Sequence, residues 1–531
     1  MITRLLGRLW KLPSPAFAVD RVQDLLAPMG DGENLLTDIY HPRAAQTPPT
    51  VLMRTPYGRS SLFVLMARLF AEQGYTTVIQ SVRGTFGSEG RFDPFFQERD
   101  DGVDTVAWIE RQPWYHGKLG LYGASYLGFV EWAVAAALGD RVAAMTTAMT
   151  TSDFHAAIYE GGGFRLEDYV KWIAGLDTQE QTSTLVRLLK ERLFGDPHKG
   201  LYSSLPLRTL DQKVTGKEIA YWRRWIDHDD LADPFWKPIQ NLDHMADVQA
   251  PVSMVGGWSD LFIPFQIRDF KAMKGLGKSV RLKLGPWTHS NFQGVGEGIR
   301  DALDWFDIHL KGHTRPSKEL DRILLWVNGA DEWRDVRAWP SSTAKLDLSA
   351  NGRLTNHGAE AGDLMFTYDP NNPTPSLEGP KLGSRTGRGD MRELAGRSDV
   401  LVFDGAIVDE QLELLGDVSV TLTTSATTAH HDLFVCLCDV GPDGEAINIT
   451  DGYRRLSLAS GDPRRRRTTI EALPVAWRLD AGHRLRLLVA AGAFPRFARN
   501  LGLGEPLAIA TESRPVDITV HCGAGPSFIS I

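Results

Sequence analysis

The stretch from Lys118 to Leu138 constrains the fold most, because it has the pattern of a strand, a sharp turn and a helix. Residues 119–122 are predicted to form an apolar strand, and residues 126–138, YLGFVEWAVAAAL, a helix rich in alanine and leucine. The turn is small, Gly123-Ala124-Ser125, and a further glycine follows at 128, one position later than in the plain Gly-x-Ser-x-Gly elbow. Ser125 would then lie at the carboxyl end of a parallel strand and the amino end of a helix, where backbone N–H groups can receive a negative oxygen. Taken alone, the pattern fits a serine N-cap in a glycine-rich turn equally well.

The surrounding chain alternates strand and helix patterns, which favours a parallel sheet flanked by helices. Predicted strands cover residues 50–55, 75–82, 119–122, 142–147, 251–257 and 279–284, with helices at 61–73, 98–111, 126–138, 264–274 and 299–311. A hairpin over residues 19–41, with Gly30-Asp31-Gly32 at its turn, is predicted at the sheet edge. Residues 151–246 lack strand signals and contain helix-length segments at 166–175, 178–194 and 217–228, which predict an inserted helical cap.

The last third of the chain has a different pattern. Short alternating runs separated by turn residues recur beyond residue 316 and predict a β-sandwich of the jelly-roll type. The predicted fold class is therefore α/β, with a parallel sheet and flanking helices (residues 1–150 and 247–315), an inserted helical cap (151–246) and a C-terminal all-β jelly-roll domain (316–531).

Composition excludes several classes of function. The net charge of −8 gives no general attraction to nucleic acid or to an anionic membrane, and neither is predicted as a partner. Three cysteines do not make a disulfide framework, and neither a metal site nor a cofactor is predicted. The sequence has no run of 18 apolar residues and no continuous apolar signal region at its start, so the expected location is cytoplasmic.

Ser125, Asp260 and His289 have the order and placement of a catalytic triad. A serine nucleophile needs a base, and the base needs an orienting acid. In doubly wound hydrolases these residues come in the chain order Ser, Asp or Glu, His, and each of them follows a strand. Ser125 follows the strand at 119–122, Asp260 the strand at 251–257, and His289 the strand at 279–284.

Two groups are candidates for the oxyanion hole, which needs two donors aimed at the developing negative oxygen. The elbow itself offers the backbone N–H of Tyr126. The loop after the strand at 50–55 contains Tyr57, whose hydroxyl could be the second donor; packing beneath the cap is an equally good explanation for this tyrosine on spacing alone.

Taken together, these motifs resemble the CocE/NonD family of serine hydrolases, which includes esterases, α-amino-acid ester hydrolases and X-Pro dipeptidyl-peptidases. The matching residues are Arg54-Thr55-Pro56-Tyr57, Arg83-Gly84 with Ser88-Glu89-Gly90, Gly123-x-Ser125-Tyr126-x-Gly128, Gly257-Trp258-x-Asp260, Gly285-Pro286-Trp287-x-His289, Gly482-His483-Arg484 and Phe494-Pro495-Arg496-Phe497 with Asn500. The resemblance implies an α/β-hydrolase domain, a cap and a jelly roll. It also implies that the Tyr57 hydroxyl is an oxyanion donor and that Trp172 and Phe262 line the acyl pocket.

Three functions remain open from the sequence. The favoured one is an esterase that acts through an acyl-Ser125 intermediate, and the expected partner is a small-molecule ester or amide substrate. The sequence leaves the oligomeric state open, with a homo-oligomer among the possible states. The first alternative is an X-Pro dipeptidyl-peptidase or α-amino-acid ester hydrolase or acylase, in which carboxylates such as Glu160, Glu167 and Asp168 would hold the substrate ammonium group. The second is a binding protein whose jelly roll holds sugar and whose triad is vestigial.

Overall fold

The computed structural model describes residues 2–181, 195–230, 232–314, 316, 320–341, 344–383, 387–457 and 465–531. Contacts within the chain define two compact units. The first unit contains residues 1–155, 234–257 and 262–324, and the second contains residues 156–233, 258–261 and 325–531. The predicted three-part division at residues 150, 246 and 315 stays a prediction.

The first unit is built on a mostly parallel sheet. Its strands are β1 (Val19–Pro28), β2 (Asn34–Pro42), β3 (Thr50–Thr55), β4 (Thr76–Ser81), β5 (Leu119–Ala124) and β6 (Ala144–Ala148); after β7 (Tyr159–Glu160) and β8 (Gly163–Phe164) of the second unit come β9 (Val252–Ser259) and β10 (Val280–Thr288). They lie in the order β1-β2-β4-β3-β5-β6-β9-β10. Strand β3 is parallel to β4 and β5, β6 is parallel to β5 and β9, and β1 and β2 form the predicted antiparallel hairpin.

Helices complete the first unit, and the parallel strands are buried as a result. Strands β3, β4 and β6 are buried along their whole length, as is usual for parallel strands covered on both faces. The helices are Ile2–Leu9, Ser61–Glu72, Glu98–Glu110, Tyr126–Leu138, Ile263–Gly275 and Phe292–His309. The last of these begins seven residues before the predicted start at 299, because the Asn291 side chain accepts hydrogen bonds from the backbone N–H groups of Gln293 and Gly294 and so caps it there.

The second unit combines helices with an all-β part. Its helices include Leu166–Thr178, Leu210–Thr215, Ala220–Asp227 and Arg392–Ala395. The predicted helix at 178–194 falls largely on residues 182–194, which lie outside the described residues. The expectation that strands are absent between 151 and 246 is wrong in one detail, since β7 and β8 form a short antiparallel hairpin there.

The β part of the second unit is dominated by one large sheet. The strands of this part of the chain are β12 (Glu332–Val336), β13 (Lys345–Ser349), β14 (Arg353–Thr355), β15 (Gly362–Tyr368), β16 (Leu401–Ile407), β17 (Leu412–Gly416), β18 (Ser419–Ala426), β19 (His431–Val440), β20 (Ala446–Leu456), β21 (Arg466–Glu471), β22 (Val475–Leu479), β23 (Arg484–Ala490), β24 (Val516–Cys522) and β25 (Phe528–Ser530), after β11 (Ile323–Val327) at the unit boundary. Strands β17 and β22 pair with each other in a separate two-stranded sheet, and β12 is not part of the large sheet. The sheet order is β15-β24-β18-β25-β13-β14-β16-β23-β19-β20, with β21 paired to β18. The buried side chains of Leu422, Leu433, Leu487 and Ile518 belong to its core. The predicted fold class, an α/β-hydrolase domain followed by an all-β domain, is confirmed.

No helix within the described part of the chain is long and apolar enough to span a bilayer.

Candidate active site

Ser125 lies at the sharp turn between β5 and the helix Tyr126–Leu138. Its backbone angles are φ 58° and ψ −124°, a strained conformation for a residue with a side chain. Hydrogen bonds hold this conformation: the Ser125 N–H donates to the carbonyl oxygen of Ala148 at 2.9 Å, and the Thr150 hydroxyl donates to the Ser125 carbonyl oxygen at 2.6 Å. The turn therefore presents the serine side chain at the amino end of the helix, as the sequence predicts.

The two glycines of the motif are needed because the helix packs closely against the strand and the following loop. A Cβ atom at Gly123 would lie 2.1 Å from the carbonyl oxygen of Leu127, and one at Gly128 would lie 2.5 Å from Thr150 Cγ2. Both positions exclude any larger side chain unless the turn shifts. The glycine at 128, one residue later than in the plain elbow, thus serves the contact with Thr150.

His289 lies within hydrogen-bond distance of the serine. Its Nε2 atom is 3.0 Å from Ser125 Oγ, the arrangement required for a general base acting on a serine nucleophile. His289 follows the end of β10 directly, and the capped helix that starts at Phe292 follows it after two residues. The Trp10 indole N–H donates to the Phe292 carbonyl oxygen at 3.0 Å and so fixes the start of that helix. The histidine is thereby held between two regular elements.

Asp260 follows the last residue of β9 and its side chain is fully buried. Residues 258–261 are grouped with the second unit, whereas Ser125 and His289 belong to the first. Within the second unit, the Trp258 indole N–H donates to the carbonyl oxygen of Trp326 at 2.8 Å, which holds the segment on the amino side of the aspartate. The role of Asp260 as the orienting acid stays a prediction.

The two residues predicted to supply the oxyanion donors are in ring contact. Tyr126 is the first residue of the elbow helix and is 1% exposed, while Tyr57 is half-buried after the end of β3. The rings of Tyr57 and Tyr126 are in edge contact, with centroids 6.4 Å apart. The Tyr57 ring also stacks on Phe63, with centroids 5.9 Å apart. Their function as donors stays a prediction.

A buried polar network lies behind Tyr126, and the sequence did not predict it. The Tyr126 hydroxyl donates to Glu98 Oε1 at 2.7 Å, and Glu98 Oε2 is 3.0 Å from Arg54 Nη1. Burial raises the pKa of the Glu98 carboxyl, an effect that the Arg54 guanidinium partly offsets. Burial and the nearby Glu98 carboxyl also raise the pKa of the Tyr126 phenol well above its ordinary value. The phenol therefore stays protonated and donates a hydrogen bond to Glu98.

Only part of this network carries a signal in the sequence. Arg54 belongs to the motif Arg54-Thr55-Pro56-Tyr57, so its presence near Tyr57 could be noticed. Glu98 reads as an ordinary acidic residue in the first turn of a helix, where such residues are common. Thr150 lies in a run of threonines after β6 and offers no distinguishing pattern.

The two predicted acyl-pocket residues differ in what surrounds them. Phe262 is buried and lies in edge contact with the His289 ring at a centroid distance of 5.5 Å. It also contacts Phe154 at 5.0 Å, so it adjoins the candidate base within the first unit. Trp172 is in the second unit, where it stacks on Trp225 with centroids 5.9 Å apart. Its place in an acyl pocket stays a prediction.

The carboxylates considered for binding a substrate ammonium group already have cationic partners. The Arg165 guanidinium, which is 1% exposed, pairs with both Glu160 and Asp168, the latter at 2.7 Å. The Lys171 ammonium group is 2.8 Å from Glu167. Among the described residues, no group of three or more His, Cys, Asp or Glu side chains is arranged to hold a metal ion.

Comparisons with known proteins show which family the chain belongs to. The family model of the X-Pro dipeptidyl-peptidase (S15 family) matches residues 31–291, and that of the X-Pro dipeptidyl-peptidase C-terminal non-catalytic domain matches residues 317–529. The cocaine esterase of Rhodococcus sp. (strain MB1 Bresler) is 30% identical over 543 residues, covering 91% of this chain and 93% of the esterase.

Two solved structures share the fold over nearly the whole chain. An α-amino acid ester hydrolase has a TM-score of 0.79 at 21% identity and covers 98% of this chain and 97% of its own. A CocE/NonD family hydrolase from Staphylococcus aureus has a TM-score of 0.71 at 16% identity, with coverage of 96% and 93%.

Proposed function

Because this chain belongs to the CocE/NonD family of serine hydrolases, we propose that it hydrolyses carboxylic esters through an acyl intermediate on Ser125. The observation that carries the proposal is the 3.0 Å separation of His289 Nε2 and Ser125 Oγ at a strained strand-to-helix turn. A binding protein with a vestigial site would have no need for this pair. The substrate is a small-molecule ester, and neither a cofactor nor a nucleic acid takes part.

In the acylation step, His289 Nε2 takes the proton from Ser125 Oγ as the oxygen attacks the ester carbonyl carbon. The resulting tetrahedral oxyanion accepts hydrogen bonds from the Tyr126 N–H and the Tyr57 hydroxyl. The protonated histidine then gives its proton to the departing alcohol, which leaves the acyl group on Ser125. Water repeats the sequence in the second half of the reaction and releases the acid. Asp260 orients the histidine ring and stabilises its positive charge.

The acyl side of the site is apolar. Phe262, in edge contact with His289, and the adjoining Phe154 supply aromatic surface next to the reacting atoms. We include Trp172 in this pocket on the family resemblance alone. The predicted cap at residues 151–246 and the domain limits at 150 and 315 belong to the same proposal.

The ion pairs of Glu160, Glu167 and Asp168 favour neutral acyl groups over aminoacyl groups. A substrate ammonium group would have to compete with the Arg165 and Lys171 cations that already hold these carboxylates. Leaving a buried cation without its partner is costly, so such competition is unfavourable. A peptidase or amino-acid ester hydrolase activity is therefore the second candidate.

A fluorophosphonate probe and a panel of esters test the proposal. The wild-type protein should be labelled stoichiometrically, and Ser125→Ala should lose both labelling and ester turnover while keeping its fold. Matched esters with and without an α-amino group, such as phenylglycine and phenylacetic acid esters of one phenol, separate the two activities. Labelling of Ser125→Ala at the wild-type rate would refute the nucleophile, and a higher kcat/KM for the amino esters would favour the second candidate.

A further inference from the structure

We infer that the Tyr126 side chain is a positioning residue that fixes the distance between the two oxyanion donors. The donors are the backbone N–H of Tyr126 itself and the hydroxyl of Tyr57, so the inference rests on the proposed function. It assigns a catalytic purpose to a buried network that extends from the elbow to the end of β3.

The first observation is that the Tyr126 hydroxyl is fixed on both sides. It donates to Glu98 Oε1 at 2.7 Å and accepts from the backbone N–H of Phe95 at 3.0 Å. The Phe95 ring stacks on the Tyr126 ring with centroids 4.8 Å apart. Because the phenol is also almost completely buried, the side chain is held in one place, and the N–H of the same residue is held with it.

The second observation is that the network continues from Glu98 to the chain segment that carries Tyr57. Arg54 Nη1 is 3.0 Å from Glu98 Oε2 and also donates to the Glu98 carbonyl oxygen at 2.9 Å. The Arg54 Nε atom donates to Gln80 Oε1 of β4 at 2.9 Å. Arg54 is the penultimate residue of β3, three positions before Tyr57, so the network determines where the Tyr57 loop leaves the sheet.

The third observation is that these contacts form a closed circuit, whose members are Tyr57, Arg54, Glu98 and Tyr126. The Tyr57 ring returns to the Tyr126 ring in edge contact at 6.4 Å, so the two tyrosines are joined once through their rings and once through Glu98 and Arg54. Phe95 has a φ of +76°, an unfavourable conformation for a bulky residue. Strain of this kind persists only where the surroundings impose it, and it is concentrated at functional sites.

An oxyanion hole needs this precision, because each donor must lie about 2.7–3.1 Å from the position of the developing oxyanion. The removal of the Tyr126 hydroxyl leaves the ring, the backbone N–H and the Glu98–Arg54 ion pair in place. It deletes the two hydrogen bonds that hold the phenol oxygen, to Glu98 and from Phe95, and so removes the link that sets the positions of the two donors relative to each other. A misplacement of the order of 1 Å can cost about 10²-fold in rate, so we expect Tyr126→Phe to lower kcat by about 10- to 100-fold.

Tyr75→Phe is the matched control. The Tyr75 hydroxyl is likewise the donor to a carboxylate, Asp307 Oδ1 at 2.6 Å, on a buried tyrosine in the same unit. It takes no part in the circuit of Tyr57, Arg54, Glu98 and Tyr126. Tyr75→Phe should therefore lower the melting temperature, as loss of a buried hydrogen bond does, while kcat stays within about twofold of the wild type. Equal kcat values for the two variants would overturn the inference.

A double-mutant cycle with Tyr57→Phe, measured by kcat, distinguishes a positioning role of the Tyr126 hydroxyl from a merely structural one. If the Tyr126 hydroxyl acts by placing the Tyr57 hydroxyl, its removal should cost less than about threefold in kcat once that hydroxyl is gone. The same 10- to 100-fold loss in both backgrounds, or a Tyr57→Phe enzyme as active as the wild type, would contradict the inference. In either case the proposed function is still supported if the wild type hydrolyses esters and is labelled at Ser125. A wild type that is neither labelled nor active on esters refutes the proposed function and the inference with it.

Discussion

Replacement of Glu131 by glutamine should remove a pH-dependent loss of stability. Glu131 lies in the elbow helix, six residues after Ser125, and its side chain is buried. No cation pairs with it among the residues that the structure describes, and burial raises the pKa of its carboxyl well above its ordinary value of 4.5. The backbone N–H of Thr146 offsets only part of this rise. The folded protein therefore keeps this carboxyl protonated over a pH range in which the unfolded chain releases the proton.

The sign and size of the effect follow from proton linkage. Above the unfolded-state pKa near 4.5, the unfolded chain gains from ionisation while the folded state does not, so the free energy of unfolding falls with rising pH. One proton retained by the folded state alone corresponds to a slope of about 1.4 kcal/mol per pH unit. From pH 5 to pH 7 the wild type should therefore lose up to about 2.7 kcal/mol relative to Glu131→Gln, which has no proton to release.

Urea unfolding of both proteins at half-unit steps between pH 4 and pH 8 measures this difference. The gap between the two free energies should widen with pH and level off at the folded-state pKa of Glu131. Glu131→Met is a second variant without an ionisable group; its overall stability can differ, but its gap to the wild type should widen in the same way. A constant gap over the whole range would refute the argument, since the carboxyl would then ionise equally in both states.

Three further changes test the site. Phe262→Ala should weaken turnover of large apolar acyl esters by about 1–3 kcal/mol more than that of acetyl esters, and equal losses in kcat/KM would mean a packing role. Gly128→Ala should abolish most activity because its Cβ would lie 2.5 Å from Thr150 Cγ2, and Thr150→Ser, which lacks that methyl group, should restore part of the measured kcat. His289→Ala should lower kcat by about 10⁴ or more, and combination with Ser125→Ala should add little, whereas additive losses in single-turnover assays would contradict a joint role.

The sequence could predict the parts of this molecule that depend on local pattern. The elbow is one such part: two glycines, a serine and an alanine-rich helix leave one arrangement of strand, turn and helix, and the observed helix Tyr126–Leu138 matches the predicted limits. Ser125 and His289 each follow a strand of the same sheet, and they come into contact because parallel strands end at the same edge of a sheet.

Contacts between distant segments could not be predicted in this way. Glu98, Arg54 and Tyr126 come from a helix, a strand and the elbow, and nothing in their local sequences says that they share one buried network. Glu131 illustrates the same limit, since a carboxylate inside an apolar helix could equally face solvent. The early start of the helix at Phe292 depends on the Asn291 cap, a single side chain whose effect extends the helix by almost two turns.

The attachment of residues 258–261 to the second unit bears on how such an enzyme can be trimmed or recombined. Trp258 donates to a backbone oxygen of Trp326, and Gly387 lies so close to Ser259 that an added Cβ would be 2.4 Å from the serine Cβ. The β part of the second unit thus supports the short segment that carries the predicted acid. If this β part were replaced by that of a relative, the residues that contact the segment around Asp260 would change, even with every residue of the first unit retained. Exchange of the whole β part is therefore a constrained way to evolve a new substrate preference. It would need matching changes in residues 258–261 and in the β residues that contact them.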